Sequence, residues 1–312
     1  MKKLISYIFP VYNEEGNIRK LQEVLLKEIE KKSDKYDFEI ICINDGSSDS
    51  SLDKLIEIQK KDKRFKIINF SRNFGHQMAI TAGLDFARGD AVIIMDADLQ
   101  DPPSVSLELI EKWEEGYEVV YAQRRTRQDK KFKKFTAFLF YRTLDKLADI
   151  RIPKDTGDFR LMDRKVVEAL KKFREKNRFM RGIVAYVGFK QTGVLFDRQE
   201  RFSGKTHYPL KKMIKLALDG ITSFSTVPLR LMTQTGILIS ILSLMGIIFA
   251  LFVRIFIPEA TIPGTTFAII ATLFIGGVQI FMMGILGTYI GRIYSEVQGR
   301  PLYIVSSVYA ED

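Results

Sequence analysis

Two stretches without a single charge constrain this 312-residue chain more than anything else in it: Leu231 to Val253, 23 residues, and Thr265 to Gly291, 27 residues. A hydrocarbon core of about 30 Å takes about 20 helical residues to cross, so each stretch is long enough to span one. Only Arg254 to Gly264, with Pro258 and Pro263, lies between them. The pair therefore predicts a hairpin whose two outer ends emerge on one side. Lys205, Lys211, Lys212, Lys215 and Arg230 precede the first span and Arg292 and Arg300 follow the second, whereas the connecting loop holds Arg254 and Glu259. The excess of Lys and Arg outside the hairpin predicts a cytoplasmic N-terminal domain and a cytoplasmic tail. The expected layout is a domain at 1–206, a juxtamembrane amphipathic segment at 207–230, spans at 231–253 and 265–291, an external loop at 254–264 and a tail at 292–312. That makes it a multi-pass protein of the cytoplasmic (inner) membrane, with both termini in the cytosol.

Charge divides along the same line. The chain carries a net charge of +10, and residues 232 to 312 hold three Arg against Glu259, Glu296, Glu311 and Asp312, a net of −1, which leaves +11 on residues 1 to 231. On a tethered domain such charge suits anionic headgroups and anionic ligands more simply than nucleic acid. Leu4 to Val11 is short, is broken by Pro10 and leads into Asn13-Glu14-Glu15, so it reads as a first strand and not as a signal peptide. A single cysteine, Cys42, permits no disulfide within the chain, and with two histidines, His76 and His207, a Cys/His zinc site is not credible.

The first 125 residues alternate regularly. Apolar runs at Leu4 to Val11, Phe38 to Ile43, Phe65 to Phe70, Ala91 to Met95 and Glu118 to Ala122 predict strands, and between them Ile18, Leu21, Val24, Leu25 and Ile29 form one helical stripe and Leu52, Leu55, Ile56 and Ile58 another. Strand and helix in turn imply a largely parallel sheet covered on both faces. Ligands bind such sheets beyond the carboxyl ends of the strands. Polar clusters fall at each of those ends: Tyr12-Asn13-Glu14, Asn44-Asp45-Gly46-Ser47, Ser71-Arg72-Asn73, Asp96-Ala97-Asp98 and Gln123-Arg124-Arg125. Taken singly, Asn13, Ser47 and Asp49 are equally good helix N-caps. Asp96 and Asp98 stand two apart in an extended segment and so project to one side. Two such carboxylates can hold a divalent cation against a diphosphate, and Gln100 could add a carbonyl oxygen.

Pro10-Val11-Tyr12-Asn13-Glu14, Asn44-Asp45-Gly46-Ser47-Ser48-Asp49 and Asp96-Ala97-Asp98-Leu99-Gln100-Asp101-Pro102-Pro103 together resemble the family-2 glycosyltransferases of GT-A fold. More narrowly, the chain resembles the polyprenyl-phosphate glycosyltransferases, the dolichyl-phosphate mannose synthase-like group, in the bacterial form with two C-terminal transmembrane helices. The resemblance implies an α/β, Rossmann-like nucleotide-sugar domain followed by an all-α hairpin. It matches Pro10, Tyr12, Glu14, Ile43 and Asp45 to the base and ribose, and Asp96, Ala97, Asp98 and Gln100 to the metal and diphosphate, with Mg²⁺ or Mn²⁺ as cofactor. Arg124 matches a diphosphate contact, and a guanidinium suits that geometry. Asp155-Thr156-Gly157-Asp158-Phe159-Arg160-Leu161 resembles the segment carrying the acceptor-side Asp, which makes Asp158 the conventional general base, with acceptor orientation an equal alternative and a cap on the helix from Arg164 a third. Arg201, Ser203 and Lys205 resemble the basic loop that clamps lipid phosphate and diphosphate; simple headgroup contacts are the other reading.

Two amphipathic stretches, Lys130 through Leu144 and Met213 through Ile221, have the pattern of interfacial helices, and for the first, packing against the domain or a neighbouring subunit is an equal alternative. The expected reaction is inverting transfer of a sugar, first choice glucose from UDP-glucose, onto a polyprenyl phosphate such as undecaprenyl phosphate. UDP-N-acetylglucosamine, a formamidoarabinose nucleotide and GDP-mannose stay open as donors. A processive polysaccharide synthase fits poorly, since that group carries Gln-X-X-Arg-Trp and the single Trp here is Trp113 in an early helix. A nucleotide-binding membrane partner without activity would leave Asp96, Asp98 and Asp158 unexplained. Small-residue faces at Gly276-Gly277, Gly284 and Gly287 leave room for a homo-oligomer.

Overall fold

The computed structural model describes residues 2–125, 153, 156–197, 227–256 and 264–311. The chain divides into two compact units, Met1–Gly220 with Arg300–Asp312, and Ile221–Gly299.

The first unit is a mixed α/β sheet. Its elements run β1 (Lys3–Val11), α1 (Ile18–Glu30), β2 (Tyr36–Asn44), α2 (Ser51–Lys61), β3 (Phe65–Phe70), α3 (His76–Phe86), β4 (Ala91–Ile94), α4 (Val105–Glu114), β5 (Val119–Arg124), β6 (Thr156–Asp163), α5 (Arg164–Lys171), α6 (Met180–Tyr186) and β7 (Gln191–Phe196). Among the described residues the sheet order is β7-β5-β6-β4-β1-β2-β3-β8, where β8 is Val305–Tyr309. β1 lies near the middle and is buried without a break from Ile5 to Val11, as a strand covered on both faces must be. The stripe expected on α1 is the buried one, with Ile18, Leu21, Leu25 and Ile29 facing the core. α3 is buried on nearly all sides, and a Cβ added to Gly83 would stand 2.3 Å from a methyl of Ile8. Glycine at that position lets the helix lie directly on β1.

The first four strands pair in parallel, as the alternation predicts. Two strands depart from the expected, largely parallel sheet. β6 enters between β4 and β5, antiparallel to both, and β8 adds antiparallel to β3. An antiparallel β6 presents its beginning, not its end, at the carboxyl edge of β4. The residues after the second apolar stretch, read from sequence as a tail, thus form an edge strand of this sheet.

The second unit holds α7 (Val227–Phe256) and α8 (Gly264–Val297), of 30 and 34 residues. Both are long and apolar enough to cross a membrane. Leu238, Ile241, Leu244, Phe249, Phe274, Ile280 and Phe281 are among the large apolar side chains they expose.

Candidate active site at the carboxyl edge of the sheet

Loops after β1 and β2 are bolted to one another. The Asn13 and Glu14 amides donate to the Ser47 and Ser51 hydroxyls at 3.0 and 2.9 Å, Glu15 N–H donates to Asp49 at 3.1 Å, and Ser48 N–H returns a bond to Asn13 Oδ1 at 2.8 Å. Asn13, Ser47 and Asp49 therefore brace loop to loop, and Asp49 also accepts from Ser51 N–H at the start of α2 at 3.0 Å; Asn17 and Ser50 occupy the cap positions of α1 and α2. Asn13 sits at φ 54°, left-handed backbone that Asn tolerates better than most residues. Tyr12 is left 43% exposed. Glu14 accepts from the Asn17 amide. Pro10 and Ile43 are buried in β1 and β2, so their side chains belong to the sheet.

Asp45 is 2% exposed and its carboxylate is engaged by the loop after β3. Phe74 N–H donates at 2.7 Å, Gly75 N–H at 3.0 Å and the Asn73 amide at 3.0 Å. Burial raises its pKa, and the two backbone donors offset only part of that. Gly46 next to it has φ +65°, and a Cβ there would lie 2.4 Å from the Arg72 carbonyl carbon, so only glycine lets the two loops meet.

Asp96, Ala97 and Asp98 leave the end of β4, and Asp98 turns back to accept from Gln100 N–H at 3.1 Å. Leu99 between them has φ 59° while its side chain is buried in the core cluster. A left-handed leucine costs about 1–2 kcal/mol, and the buried side chain supplies the anchor that holds it. The result is a tight turn at Asp98-Leu99-Gln100 directly after Asp96. Among the described residues no three His, Cys, Asp or Glu side chains converge as a metal cage. Two carboxylates with an amide oxygen nearby are the donor set of a hard cation that completes its shell with phosphate and water.

Asp158 arrives through the antiparallel register. The last β4–β6 pair is Ile94 with Arg160, so Asp96 and Asp158 each lie two residues beyond it, at the same end of the two strands. His76, first residue of α3, stands between them, with Nε2 3.6 Å from Asp96 and 3.3 Å from Asp158. Asp158 also accepts from Arg181 Nε at 3.0 Å and from Gln77 Nε2 at 3.3 Å, and the Gln77 carbonyl takes Met180 N–H at 3.0 Å. Burial alone would raise the Asp158 pKa, but the charges of Arg181 and His76 hold it well below the usual carboxylate range. Desolvation works against a charged His76 even though its side chain is 39% exposed, yet its bond to Asp158 and the Asp96 charge raise its pKa to about 9. The cap of α5 is Asp163, which accepts from Lys165 N–H, so capping is not what Asp158 does.

Arg124 ends β5, where a Cβ added to Gly157 would be 3.4 Å from its Nη2. It therefore lies alongside the backbone next to Asp158. Arg201, Ser203 and Lys205 lie outside the described residues, as do Asp155, the basic aromatic stretch from Lys130 and the segment from His207 to Ser225. Trp113 is structural: its Nε1–H donates to Asp163 at 2.8 Å. Sequence reasoning missed His76, Gln77 and Arg181. Gly75-His76 directly follows the polar cluster after β3, which is the signal that could have marked His76.

A model described as Glycosyl transferase family 2 matches residues 6–171, spanning β1 to α5 and with them Asp45, Asp96, Asp98, Arg124 and Asp158. The chain belongs to glycosyltransferase family 2. It is a glycosyltransferase, and its sheet domain is of the GT-A type. It is 51% identical over 305 residues to an uncharacterized glycosyltransferase, YkcC, of Bacillus subtilis (strain 168), covering 97% of this chain and 94% of that one. It is 42% identical over 303 residues to the bactoprenol glucosyl transferase of Shigella phage SfII, covering 96% of this chain and 97% of that one. Among solved structures it is similar to glucosyl-3-phosphoglycerate synthase of Mycobacterium tuberculosis in complex with Mn²⁺, UDP and phosphoglyceric acid, with a TM-score of 0.46, 19% identity, and 70% of this chain and 76% of that one covered.

Proposed function

We propose that this glycosyltransferase moves a sugar, glucose in the first instance, from a nucleotide diphosphate to the phosphate of a polyprenyl lipid at the cytoplasmic membrane face. The observation that carries the reading is the convergence of Asp96 and Asp158 on His76, whose Nε2 lies 3.6 Å from the first and 3.3 Å from the second. It joins an oxygen-rich strand end suited to a cation and diphosphate to a buried cluster rich in cationic groups. The 42% identity to a bactoprenol glucosyl transferase over nearly the full length of both chains supports glucose as the sugar and a polyprenyl phosphate as the acceptor.

Asp96 and Asp98, with Gln100, would hold Mg²⁺ or Mn²⁺, which when bound neutralises the charge that develops on a departing diphosphate. Arg124 adds a fixed guanidinium for the same oxygens, and Tyr12 offers its ring to the base. An acceptor phosphate oxygen forms the new bond to the anomeric carbon as the bond from that carbon to the diphosphate breaks, with inversion and release of a nucleoside diphosphate. A lipid phosphate has a second pKa of about 6, so near neutral pH most of it carries no proton that must be removed. Asp158 suits that step as a positioning residue. It is already ionised and committed to Arg181, Gln77 and His76, whereas an effective base has a pKa near the working pH. Arg201, Ser203 and Lys205 are proposed contacts of the lipid phosphate.

α7 and α8 at 1.5 Å per residue are about 45 and 50 Å long, enough for two crossings. The chain leaves the sheet unit at Gly220 and re-enters it at Arg300, so an even number of crossings returns it to the same side. Radiolabelled nucleotide sugars, offered one at a time with undecaprenyl phosphate to membranes holding the chain, test the proposal. Chloroform-soluble label from UDP-glucose is expected. Long water-insoluble polymer would point to a synthase, and no transfer from any donor would overturn the proposal.

A further inference from the structure

The segment after α8 does more than close a sheet edge. Two separate lines of contact run from it to Asp45. Along the first, Tyr303 stacks on Phe70 with ring centroids 5.1 Å apart and planes 16° apart, and Phe70 meets Phe74 edge to face at 5.6 Å. Phe74 and Gly75 are the residues whose amides donate to the Asp45 carboxylate. Tyr303 is itself fixed, since its hydroxyl donates to Asp85 at 2.7 Å and Arg174 grips the same carboxylate with two bonds of 2.8 and 2.9 Å. Along the second line, the Ser307 hydroxyl accepts from Asn69 Nδ2 at 3.3 Å, and Asn69 Oδ1 accepts from Asn44 Nδ2 at 2.8 Å. Asn44 immediately precedes Asp45. Between the two lines, Ser71 N–H donates to the Ile304 carbonyl at 3.0 Å, so the loop after β3 begins on a bond to this segment.

We propose that Tyr303, with Ser307, is a positioning residue of the nucleotide site: it sets the 71–76 loop that engages Asp45 and delivers His76 to Asp158. This rests on the reading of the β1–β3 loops as the place of the nucleotide. Each aromatic contact fixes a ring that the backbone alone would leave to rotate, and such pairs are sensitive to geometry beyond the area they bury. The segment joins the sheet only after both apolar helices have been made. The loop is thus held both by Asp45 and by a segment that lies beyond the family-matched residues 6–171.

The test uses the full chain in detergent, with hydrogen exchange of peptides covering residues 70–76 and UDP affinity in the presence of Mg²⁺. For Tyr303→Ala, exchange across 70–76 should speed by about tenfold or more and UDP should bind about tenfold more weakly. Tyr303→Phe keeps the stack and should recover most of both, while Ser307→Ala should show a milder form of the same two changes. Glu311→Gln, which removes the exposed pair with Lys63 at the far end of β8, should move neither. Unchanged exchange in Tyr303→Ala, or faster exchange with unchanged UDP affinity, overturns the inference. A wild-type chain that does not bind UDP, with exchange still responding to Tyr303→Ala, overturns the nucleotide reading and with it the assigned role, but not the coupling of segment to loop.

Discussion

Asp158 shows how burial and charge decide what a residue can do. At 7% exposure its ionised carboxylate is tolerable only because Arg181, Gln77 and His76 surround it. Arg181→Ala, which leaves that charge without its nearest cation, should cost about 3 kcal/mol in stability by denaturant unfolding. Asp158→Asn should lower turnover at every pH, with no recovery as pH rises from 6 to 9, because the missing group is a holder and not a proton acceptor; recovery at high pH would restore the general base. His76 carries the pH dependence. Its folded pKa is raised to about 9, above the ordinary 6.5, so the stabilisation from its charge is complete below pH 6.5 and is lost as pH rises through 9. Thermal unfolding of chelator-treated protein should therefore fall between pH 6.5 and 9.5, and His76→Gln should flatten that slope.

At the scale of elements, the strands that alternation could reveal were legible, and of the three that it did not, β6, β7 and β8, the first and last were decisive. β1 to β5 show as apolar runs because each is covered on both faces. The same covering makes Asp96-Ala97-Asp98 stand out as polarity at a strand end. β6 was hidden: Thr156-Gly157-Asp158 and Arg160 put polar residues where a buried strand is expected, and these are the site residues themselves. β8, five residues lying on one edge with alternating intermediate and exposed positions, is too short and too polar to separate from a tail. Partners such as His76–Asp158 and Tyr303–Phe70 depend on register and on contacts distant in sequence, which no local pattern carries. β3 without β8 would be an open edge with unpaired N–H and C=O groups. Removing residues 300–312 should then raise aggregation of the purified protein, seen by light scattering, while leaving the two apolar helices in place; a monodisperse truncated chain would contradict this.

For the whole molecule, a family-2 sheet domain and two long apolar helices were legible from motifs and from the two uncharged stretches, whereas the return of the chain into the first unit was not. A polyprenyl chain stays in the bilayer while a nucleotide sugar stays in water, and a family-2 domain joined at both ends to a hairpin suits chemistry between them. Central to that account is a single displacement in which the sugar moves and the diphosphate leaves whole. Purified chain given UDP-glucose, undecaprenyl phosphate and Mg²⁺ should release one UDP per glucosylated lipid, with the lipid extending by one hexose on its monophosphate when read by mass spectrometry. Release of UMP with a diphosphate-linked product, or no lipid product while UDP-glucose is consumed, would contradict it.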